Sequence, residues 1–589
     1  MDWRFRDDPY CAWRFGQLRK YNRLQEDSET SFLRRVTFAS DLLSKARQID
    51  RRDFTKEDRL NVAILTDQLE TYIDGYPFRM FGAYNPYSPW MTPFIKWKAI
   101  VLGIKIHSAS DANLVFQAYK DIARQIDQQM ALMNESIHLG TTNTEESMKG
   151  VLSTFDNEIE TLRRHPFYTP FVRPFMNIPR NTPNRTRLRL IAEEKCREIL
   201  LPAFVQMRHF LATVYLQNTR PRVGLSSLPN GTAYYRASLR WHLSLNITPE
   251  EVHQLGLSEV TRVLEKIQQL IRPYRKDGDL HAYMAEIRSR RENYYKTYDG
   301  MIHSLESIIA KTHTKLPQLL RNVPKLPVIV KPFSKDNILT AGYARPSWDG
   351  SKPGIFYVNP SSLTTTPKFQ FIPMILHEAE PGHHTQMAHV IESNVAKFRK
   401  VITCRVQHAV PFSMPDYTAY CEGWGLYAES LGEEINAYTE PNDLLGRYTA
   451  EIFRASRLVV DTGIHAFGWS RERAVDYMTN HTTLDRETIE REVSRYIIVP
   501  GQACAYKIGE MKIRELRTKA ENILGPRFDK RDFHEAILKT GEVPLYLLDS
   551  TINDWIMDKM ASPVVSGASR AMSLIPCVVI TVWLVVSGV

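Results

Sequence analysis

Residues 377–384, His-Glu-Ala-Glu-Pro-Gly-His-His, place three imidazoles and two carboxylates within eight positions. An apolar stretch, residues 371–376, leads into this segment. Imidazole and carboxylate groups are the ligands of a catalytic zinc ion, and a carboxylate beside the ion is a suitable general base. The segment therefore predicts a zinc hydrolase, and it requires a fold that brings these groups together.

The spacing differs from that of the common His-Glu-x-x-His zinc motif, whose histidines lie at i and i+4 on one helix face. Here the second histidine is at i+6 (His383) or i+7 (His384). On a regular helix the i+7 position lies about 10 Å along the axis, and the i+6 position points away from His377. Neither arrangement suits two ligands that are each about 2 Å from one ion.

Pro381 and Gly382 can change the direction of the helix between the two histidines. Proline interrupts the helical hydrogen bonds, and glycine permits unusual dihedral angles. We interpret the pair as a two-residue insertion that bulges the helix and returns His383 or His384 to the metal. His383 is the better candidate, because deletion of the insertion restores His-Glu-x-x-His.

Residues 420–429, Tyr-Cys-Glu-Gly-Trp-Gly-Leu-Tyr-Ala-Glu, carry a second pair of carboxylates. Their aromatic residues recur at i, i+4 and i+7, which predicts a partly buried helix in which an unpaired glutamate is costly. Glutamate-type zinc peptidases take their third ligand from a helix downstream of the two histidines. Glu422 fits that role, and Glu429 is a reserve ligand or a partner of a ligand. A solvated acidic face is the alternative.

Two further segments carry candidate site residues. Arg457, Asp461 and His465 are at i, i+4 and i+8, so they face one way on a helix. We expect Asp461 to pair with Arg457 and to orient His465. An exposed ion pair of little energetic value is the alternative.

Pro500 and Gly501 end the helix that carries Arg495, and we expect the helix to resume near Gln502. Tyr506 or His465 is expected to donate a hydrogen bond to the oxyanion of a tetrahedral intermediate. Arg495 is suited to hold a substrate carboxylate through two parallel hydrogen bonds.

Four motifs occur in order along the chain: His-Glu-x-x-Pro-Gly-His-His, Glu-Gly-Trp-x-Leu-Tyr-Ala-Glu, Arg-x-Val-Val-Asp-Thr-Gly-Ile-His and Arg-Tyr-x-x-x-Pro-Gly-Gln-Ala. Through them the chain resembles the family called domain of unknown function 885, from about residue 10 to residue 558. The resemblance implies a helical, zincin-like metallopeptidase that has a glutamate ligand and acts on peptides. Carboxypeptidases are among the enzymes of this type. Glu380 and Thr385 depart from the family, where apolar residues are expected.

The expected reaction uses Zn²⁺ held by His377, by His383 or His384, and by Glu422, with one position left for water. Glu378 takes a proton from this water and passes it to the leaving amine. Two alternatives remain. The protein could bind zinc or peptide without turnover, although Glu378 argues against this, or it could hydrolyse a non-peptide amide or ester by the same chemistry.

Helical periodicity over most of the chain predicts a mainly α, two-lobed zincin-like fold. Residues 1–325 form the expected N-terminal helical lobe, 326–558 the catalytic lobe, and 559–589 a linker and apolar tail. Thr248, Pro249 and Glu251 form a capping box at the start of one helix.

Strand-like residues occur only at 328–330, 338–343 and 355–358, which predicts a small β-sheet just before the metal segment. Zinc peptidases lay the substrate along an edge strand above the metal helix. We assign residues 354–359 to that edge strand, and a plain buried strand is the alternative.

The net charge is +10, but no basic run in the sequence is interleaved with aromatic residues. We therefore expect no nucleic-acid partner. Residues 163–189 contain seven arginines, five prolines and no acid, which predicts a long extended loop. Such a loop is either solvated or attracts acidic peptides or lipid headgroups. The sequence leaves the oligomeric state open.

Residues 574–586 are apolar, and no charged residue follows Arg570. This tail fits a membrane anchor, a lipid-anchor signal, or a divergent segment of little function. The first residues have no apolar core of the kind that a signal peptide requires. We expect association with a membrane or the secretory pathway.

Overall fold

The structure is a computed structural model that describes residues 2–18, 20–90, 92–165, 169–180, 184–333, 339–401 and 409–562. The predicted tail at 574–586 lies outside these residues. The described part is mainly helical, with one small sheet, as the sequence predicts.

The described residues up to residue 210 contain twelve α-helices. They are α1 Asp2–Asp7, α2 Pro9–Arg14, α3 Glu29–Gln48, α4 Lys56–Gly75, α5 Arg79–Gly82, α6 Pro93–Gly103, α7 Ala109–His138, α8 Glu145–Met148, α9 Val151–Arg164, α10 Arg173–Met176, α11 Arg185–Lys195 and α12 Leu201–Phe210. Short π-helical turns at Cys196–Leu200 and Leu211–Tyr215 and a 3-10 turn at Leu216–Asn218 extend the α11–α12 region into one helical stretch.

The rest of the described chain contains the sheet and the remaining helices. They are α13 Gly231–Leu243, α14 Pro249–Ile271, α15 Leu280–Ser289, α16 Tyr298–Lys315, β1 Val328–Pro332, β2 Ala341–Ala344, β3 Gly354–Val358, α17 Ser362–Thr365, α18 Lys368–Glu378, α19 His383–Glu392, α20 Thr418–Glu434, α21 Pro441–His465, α22 Arg471–His481, α23 Arg486–Ile498, α24 Ala505–Leu524, α25 Lys530–Thr540 and α26 Leu545–Ala561.

The predicted capping box at the start of α14 is confirmed. The Glu251 amide donates to the Thr248 hydroxyl at 3.1 Å, and the Thr248 amide donates to the Glu251 carboxylate at 2.8 Å. The buried face of α14 packs on α21, and a Cβ atom at Gly256 would lie 2.7 Å from Cβ of Leu458. This glycine therefore sets the close approach of the two helices.

The hydrophobic packing is continuous across residue 325. One core cluster is drawn entirely from residues 18–215. A second cluster joins α14 to α21 and α23, and a third joins α13 to α20, α24 and α26. Because α13 and α14 precede residue 325 and pack on helices that follow it, the two-lobe division remains a prediction.

A group of buried charges fixes α14, α21 and α24 to one another. The Lys507 ammonium is only 1% exposed and lies 2.8 Å from carboxylate oxygens of Glu259, Glu451 and Glu510. Burial alone lowers the pKa of Lys507, but the three carboxylates outweigh it and raise the pKa. Such a group stays charged only because its partners are held in place by all three helices.

The sheet has the order β1-β3-β2. Strand β1 runs parallel to β3, with Val328 opposite Gly354, and β2 runs antiparallel to β3, with Ala341 opposite Val358. The assignment of residues 354–359 to an edge strand is therefore wrong, because β3 is hydrogen-bonded on both sides. Its side chains at Phe356 and Val358 are fully buried, which fits the alternative of a plain buried strand.

The expectation of an extended loop over residues 163–189 is wrong for the described residues. Helix α10 lies within it, and Pro174 occupies the first turn, where proline is tolerated. Phe171, Val172 and Phe175 are fully buried in the N-terminal core. These apolar anchors fold the segment onto the helices despite its proline content.

Among the described residues, one helical stretch, Arg185–Asn218, has the length and apolar composition of a membrane span. Core helices of soluble proteins pass the same test. Phe204 and Tyr215 of this stretch are fully buried in the N-terminal core.

Two fully buried histidines lead to a prediction about pH and stability. The Tyr427 hydroxyl donates to Nε2 of His534 at 2.9 Å, and the ring donates through Nδ1 to the Leu319 carbonyl. Burial lowers the pKa of His534 to about 4 and that of His465 to about 3. In the unfolded chain a histidine has a pKa of about 6.5.

Because the unfolded chain binds protons that the folded chain does not, the free energy of unfolding should fall as the pH falls from about 6.5 towards 4, by about 1.4 kcal/mol per pH unit for each histidine. Unfolding measured across this range should show a shallower pH slope for His534→Gln than for the parent. His107→Gln, which changes an exposed histidine, should leave the slope unchanged. Equal slopes for all three proteins would contradict the prediction.

Candidate metal centre

The segment between the two histidines forms a full break between helices α18 and α19. Helix α18 ends at Glu378, and α19 begins at His383. A Cβ atom at Gly382 would lie 1.9 Å from the carbonyl oxygen of His377, so the chain returns there along a path open only to glycine. The Trp424 indole holds the turn by donating to the Pro381 carbonyl at 2.9 Å.

This return brings His377, His383 and Glu422 together. One ligand atom from each residue lies within 4.8 Å of the other two. The Glu422 Oε2 atom is 3.5 Å from Nε2 of His377 and 3.3 Å from Nε2 of His383. Two ligands about 2.1 Å from a zinc ion at the tetrahedral angle lie about 3.4 Å apart, so this donor set fits zinc.

The second glutamate of α20 supports the first histidine. Glu429 accepts a hydrogen bond from Nδ1 of His377 at 2.9 Å, and Arg454 lies 3.6 Å from the same carboxylate oxygen. A proton on Nδ1 leaves the lone pair of Nε2 directed at the centre. Glu429 therefore orients a ligand rather than joining the group of three.

His384 faces away from this group. Its Nε2 atom is 2.7 Å from the Leu326 carbonyl, and its Nδ1 atom is 3.0 Å from the Tyr343 hydroxyl on β2. The ring fits there because a Cβ atom at Gly354 would lie 2.4 Å from Nδ1. Both ring nitrogens are engaged, so His384 fastens the start of α19 to the sheet, and His383 is the histidine that meets His377.

The charges in the centre stabilise one another. His377 is 3% exposed and Glu422 is 7% exposed. Burial alone lowers the pKa of His377, but Glu422 and Glu429 outweigh it and raise the pKa to about 10. Burial alone raises the pKa of Glu422, but His377 and His383 lower it well below its usual value. Two buried carboxylates beside these rings provide the negative charge that a dication requires.

Glu378, the predicted general base, directly follows the predicted ligand His377 at the end of α18. Its side chain is half-buried, and it forms no hydrogen bond or ion pair with the residues that the structure describes. The neighbouring Glu380 is instead occupied by His313, whose Nδ1 atom is 3.0 Å from its carboxylate. The two carboxylates of this segment thus have different surroundings.

Tyr506 lies next to the centre, and Arg495 lies next to Tyr506. The Tyr506 ring is 6.3 Å from the His377 ring, and the Arg457 guanidinium lies 4.5 Å above the tyrosine ring. Arg495 donates to Gln502 at 2.9 Å and lies 3.5 Å from the Tyr506 hydroxyl. Tyr506 therefore lies beside His377, and Arg495 lies beside Tyr506.

The expected arrangement of Arg457, Asp461 and His465 is wrong. Arg457 pairs with Glu492 at 2.8 Å, and Asp461 accepts from the Tyr235 hydroxyl at 2.6 Å. These three side chains share a helix face, but the neighbouring helices supply partners that the sequence pattern does not reveal.

His465 lies away from the group of three as well. Its ring packs 5.2 Å from the Tyr235 ring, and its Nε2 atom is 2.9 Å from the Tyr496 carbonyl. Asp461 also accepts from the Gly501 amide at 3.0 Å, so it holds the turn that leads to Gln502 and Tyr506. The position of His465 does not fit a donor to the oxyanion, and Tyr506 is the remaining candidate for that role.

Sequence reasoning missed two residues that shape the centre. A Cβ atom at Gly425 would lie 2.7 Å from Nε2 and Cε1 of His377, so this glycine makes room for the ring. Gly425 lies three residues after Glu422 and therefore on the same face of the helix, and this spacing could have indicated its place beside the centre. Tyr343 stacks 6.4 Å from His383, and nothing in the sequence around it indicated this contact.

The close approach at Gly425 leads to a prediction. In Gly425→Ala the added methyl group would push the His377 ring from its place, and zinc affinity should fall about 10-fold or more, as it does when the support of a ligand is lost. Gly432→Ala, in the same helix, would place its methyl group against Leu376 and Tyr438 instead. Competition with a chelating dye should show a loss only for Gly425→Ala, and an equal loss in both variants would contradict this role.

Comparison with known proteins agrees with the fold. A crystal structure from Colwellia psychrerythraea, described as a "putative lipoprotein", superimposes with a TM-score of 0.81 at 24% identity, over 94% of this chain and 97% of the other. A "putative lipoprotein of unknown function" from Shewanella oneidensis gives a TM-score of 0.70 at 16% identity, over 94% and 98%. No curated protein matches the chain.

The family model described as "Bacterial protein of unknown function (DUF885)" matches residues 9–552. This match spans nearly all of the described residues and all four motifs of the sequence. The chain belongs to the DUF885 family.

Proposed function

We propose that the protein is a zinc-dependent metallopeptidase with carboxypeptidase-like action. The observation that carries this proposal is the convergence of His377, His383 and Glu422, at distances that suit tetrahedral zinc, with Glu378 beside them. The hydrogen bond from His377 to Glu429 adds the carboxylate–histidine support that is typical of zinc sites.

The roles of the residues follow from their surroundings. A zinc ion at this site supplies Lewis acidity, which lowers the pKa of water and polarises the scissile carbonyl. Glu378, half-buried and without a partner among the described residues, accepts the proton of the attacking water and delivers it to the leaving amine. Tyr506, beside the His377 ring, donates to the oxygen that gains negative charge.

Arg495 supports the carboxypeptidase-like part of the proposal. It lies 3.5 Å from the Tyr506 hydroxyl, and its nearest acid, Glu492, is 3.6 Å away. A guanidinium next to the site is suited to bind the terminal carboxylate of a peptide. Strand β2, at the edge of the sheet and tied through Tyr343 to α19, offers backbone groups along which that peptide can extend.

We also propose that the protein works at a membrane or outside the cytoplasm. The two similar structures are described as putative lipoproteins. The apolar segment at residues 574–586 is consistent with attachment to a membrane.

The first test compares two neighbouring carboxylates. Glu378→Gln should retain zinc but lose peptide hydrolysis by about 100-fold or more, because general base catalysis contributes about 10²–10⁴. Glu380→Gln, which alters a carboxylate bound to His313, should retain both. Zinc content by atomic emission and hydrolysis of a set of peptides are measured on the same preparations.

The histidines give a second comparison within the same test. His383→Ala should lose zinc, and His389→Ala, in the same helix but outside the group of three, should keep it. A parent protein that binds no zinc after reconstitution would overturn the proposal. A parent protein that binds zinc but hydrolyses no peptide would favour the alternatives, a catalytically silent binding protein or a hydrolase of non-peptide amides or esters.

Arg495 gives a separate prediction about the substrate. Arg495→Ala should lower kcat/KM for peptides with a free carboxylate by about 10- to 100-fold, since a hydrogen bond to a charged group contributes about 1.5–3 kcal/mol. The same peptides with an amidated terminus should be affected much less. Arg491→Ala, on the same helix and paired with Glu487, should change neither rate. Equal losses on both peptide forms would contradict the carboxylate role.

A further inference from the structure

The positive charge of the chain is concentrated in one segment. No acidic residue occurs between Glu160 and Glu193. The same interval contains seven of the chain's arginines, against a net charge of +10 for all 589 residues. They are Arg163, Arg164, Arg173, Arg180, Arg185, Arg187 and Arg189.

Helices α10 and α11 hold part of this segment together on the surface. Arg189 donates to the carbonyls of Phe175 at 3.0 Å and of Met176 at 2.7 Å, which joins the end of α10 to α11. Phe175 is fully buried and stacks 5.4 Å from Phe116 of α7. The two helices are therefore fixed to the N-terminal core rather than loose.

Three other arginines of this segment are free to bind an external group. Arg173, Arg180 and Arg187 are exposed, and none forms an ion pair with the residues that the structure describes. Arg208, by contrast, pairs with Asp156 at 2.9 Å. We call Arg173, Arg180 and Arg187 the basic patch.

Exposed apolar side chains accompany these cations. Leu190 is 61% exposed and Met176 is 38% exposed, and both lie beside the Arg189 contact. Cations that alternate with exposed apolar side chains are typical of surfaces that rest in the headgroup region of a bilayer.

We propose that the basic patch binds the surface of an anionic phospholipid membrane. The guanidinium groups pair with lipid phosphates, and Leu190 and Met176 enter the headgroup region. This contact is separate from the apolar tail and from the metal centre. It would orient the protein on a membrane whichever way the chain is anchored.

The test uses the full chain and sedimentation with vesicles of phosphatidylcholine alone or mixed with phosphatidylglycerol. The parent should bind the anionic vesicles more tightly, and added salt should weaken the binding. The triple variant Arg173→Glu, Arg180→Glu and Arg187→Glu should lose about 100-fold in affinity for them, since each cation near such a surface contributes about fivefold.

A matched variant controls for net charge. Arg59→Glu, Arg272→Glu and Arg291→Glu change three exposed arginines outside the patch and should bind as the parent does. The double variant Met176→Gln with Leu190→Gln keeps every charge and should also weaken binding to anionic vesicles. It tests the proposal if the triple variant fails to fold. Zinc content should be the same in all variants.

Three outcomes would overturn the proposal. Equal binding of the parent to both kinds of vesicle would assign attachment to apolar contacts alone. Equal losses in the patch and control variants would reduce the effect to net charge. Tighter binding to single-stranded RNA or polyglutamate than to anionic vesicles would assign the patch to another partner.

Discussion

The candidate centre depends on the contact of α18 with α20 at Gly425, where the His377 ring lies directly against the backbone of α20. The His377 ring fills the space that a Cβ atom at this position would occupy. Glu422, three residues earlier, meets Nε2 of that ring, and Glu429, four residues later, meets Nδ1. One helix therefore holds both sides of a single imidazole, which fixes its orientation more firmly than packing alone.

The arrangement also places unusual demands on electrostatics. Two carboxylates that are almost fully buried carry a cost that only nearby positive charge or strong hydrogen bonds can offset. The Arg454 guanidinium and the imidazoles of His377 and His383 supply part of that offset. A dication among these groups would supply more, which is the physical basis for expecting metal binding to stabilise the folded chain.

Sequence spacing predicted the features that depend on neighbours along the chain. The wide separation of His377 and His383, with Pro381 and Gly382 between them, predicted a bulge in one helix, and the structure has a full break between two helices instead. The capping residues of α14 were predicted for the same reason, since each cap involves atoms only three residues apart. The three strands were predicted from short β-rich runs, but their order was not, because pairing partners lie far apart in sequence.

By itself, the sequence determined a mainly helical chain of the DUF885 family and the residue types of the candidate centre, because periodicity and motif spacing are local properties. Only the tertiary structure decided between His383 and His384. Helix α19 lies with one ring towards Glu422 and the next towards Tyr343 on β2. The spacing of the motif favoured His383, but the directions of the two rings rest on how α19 packs against both α20 and the sheet.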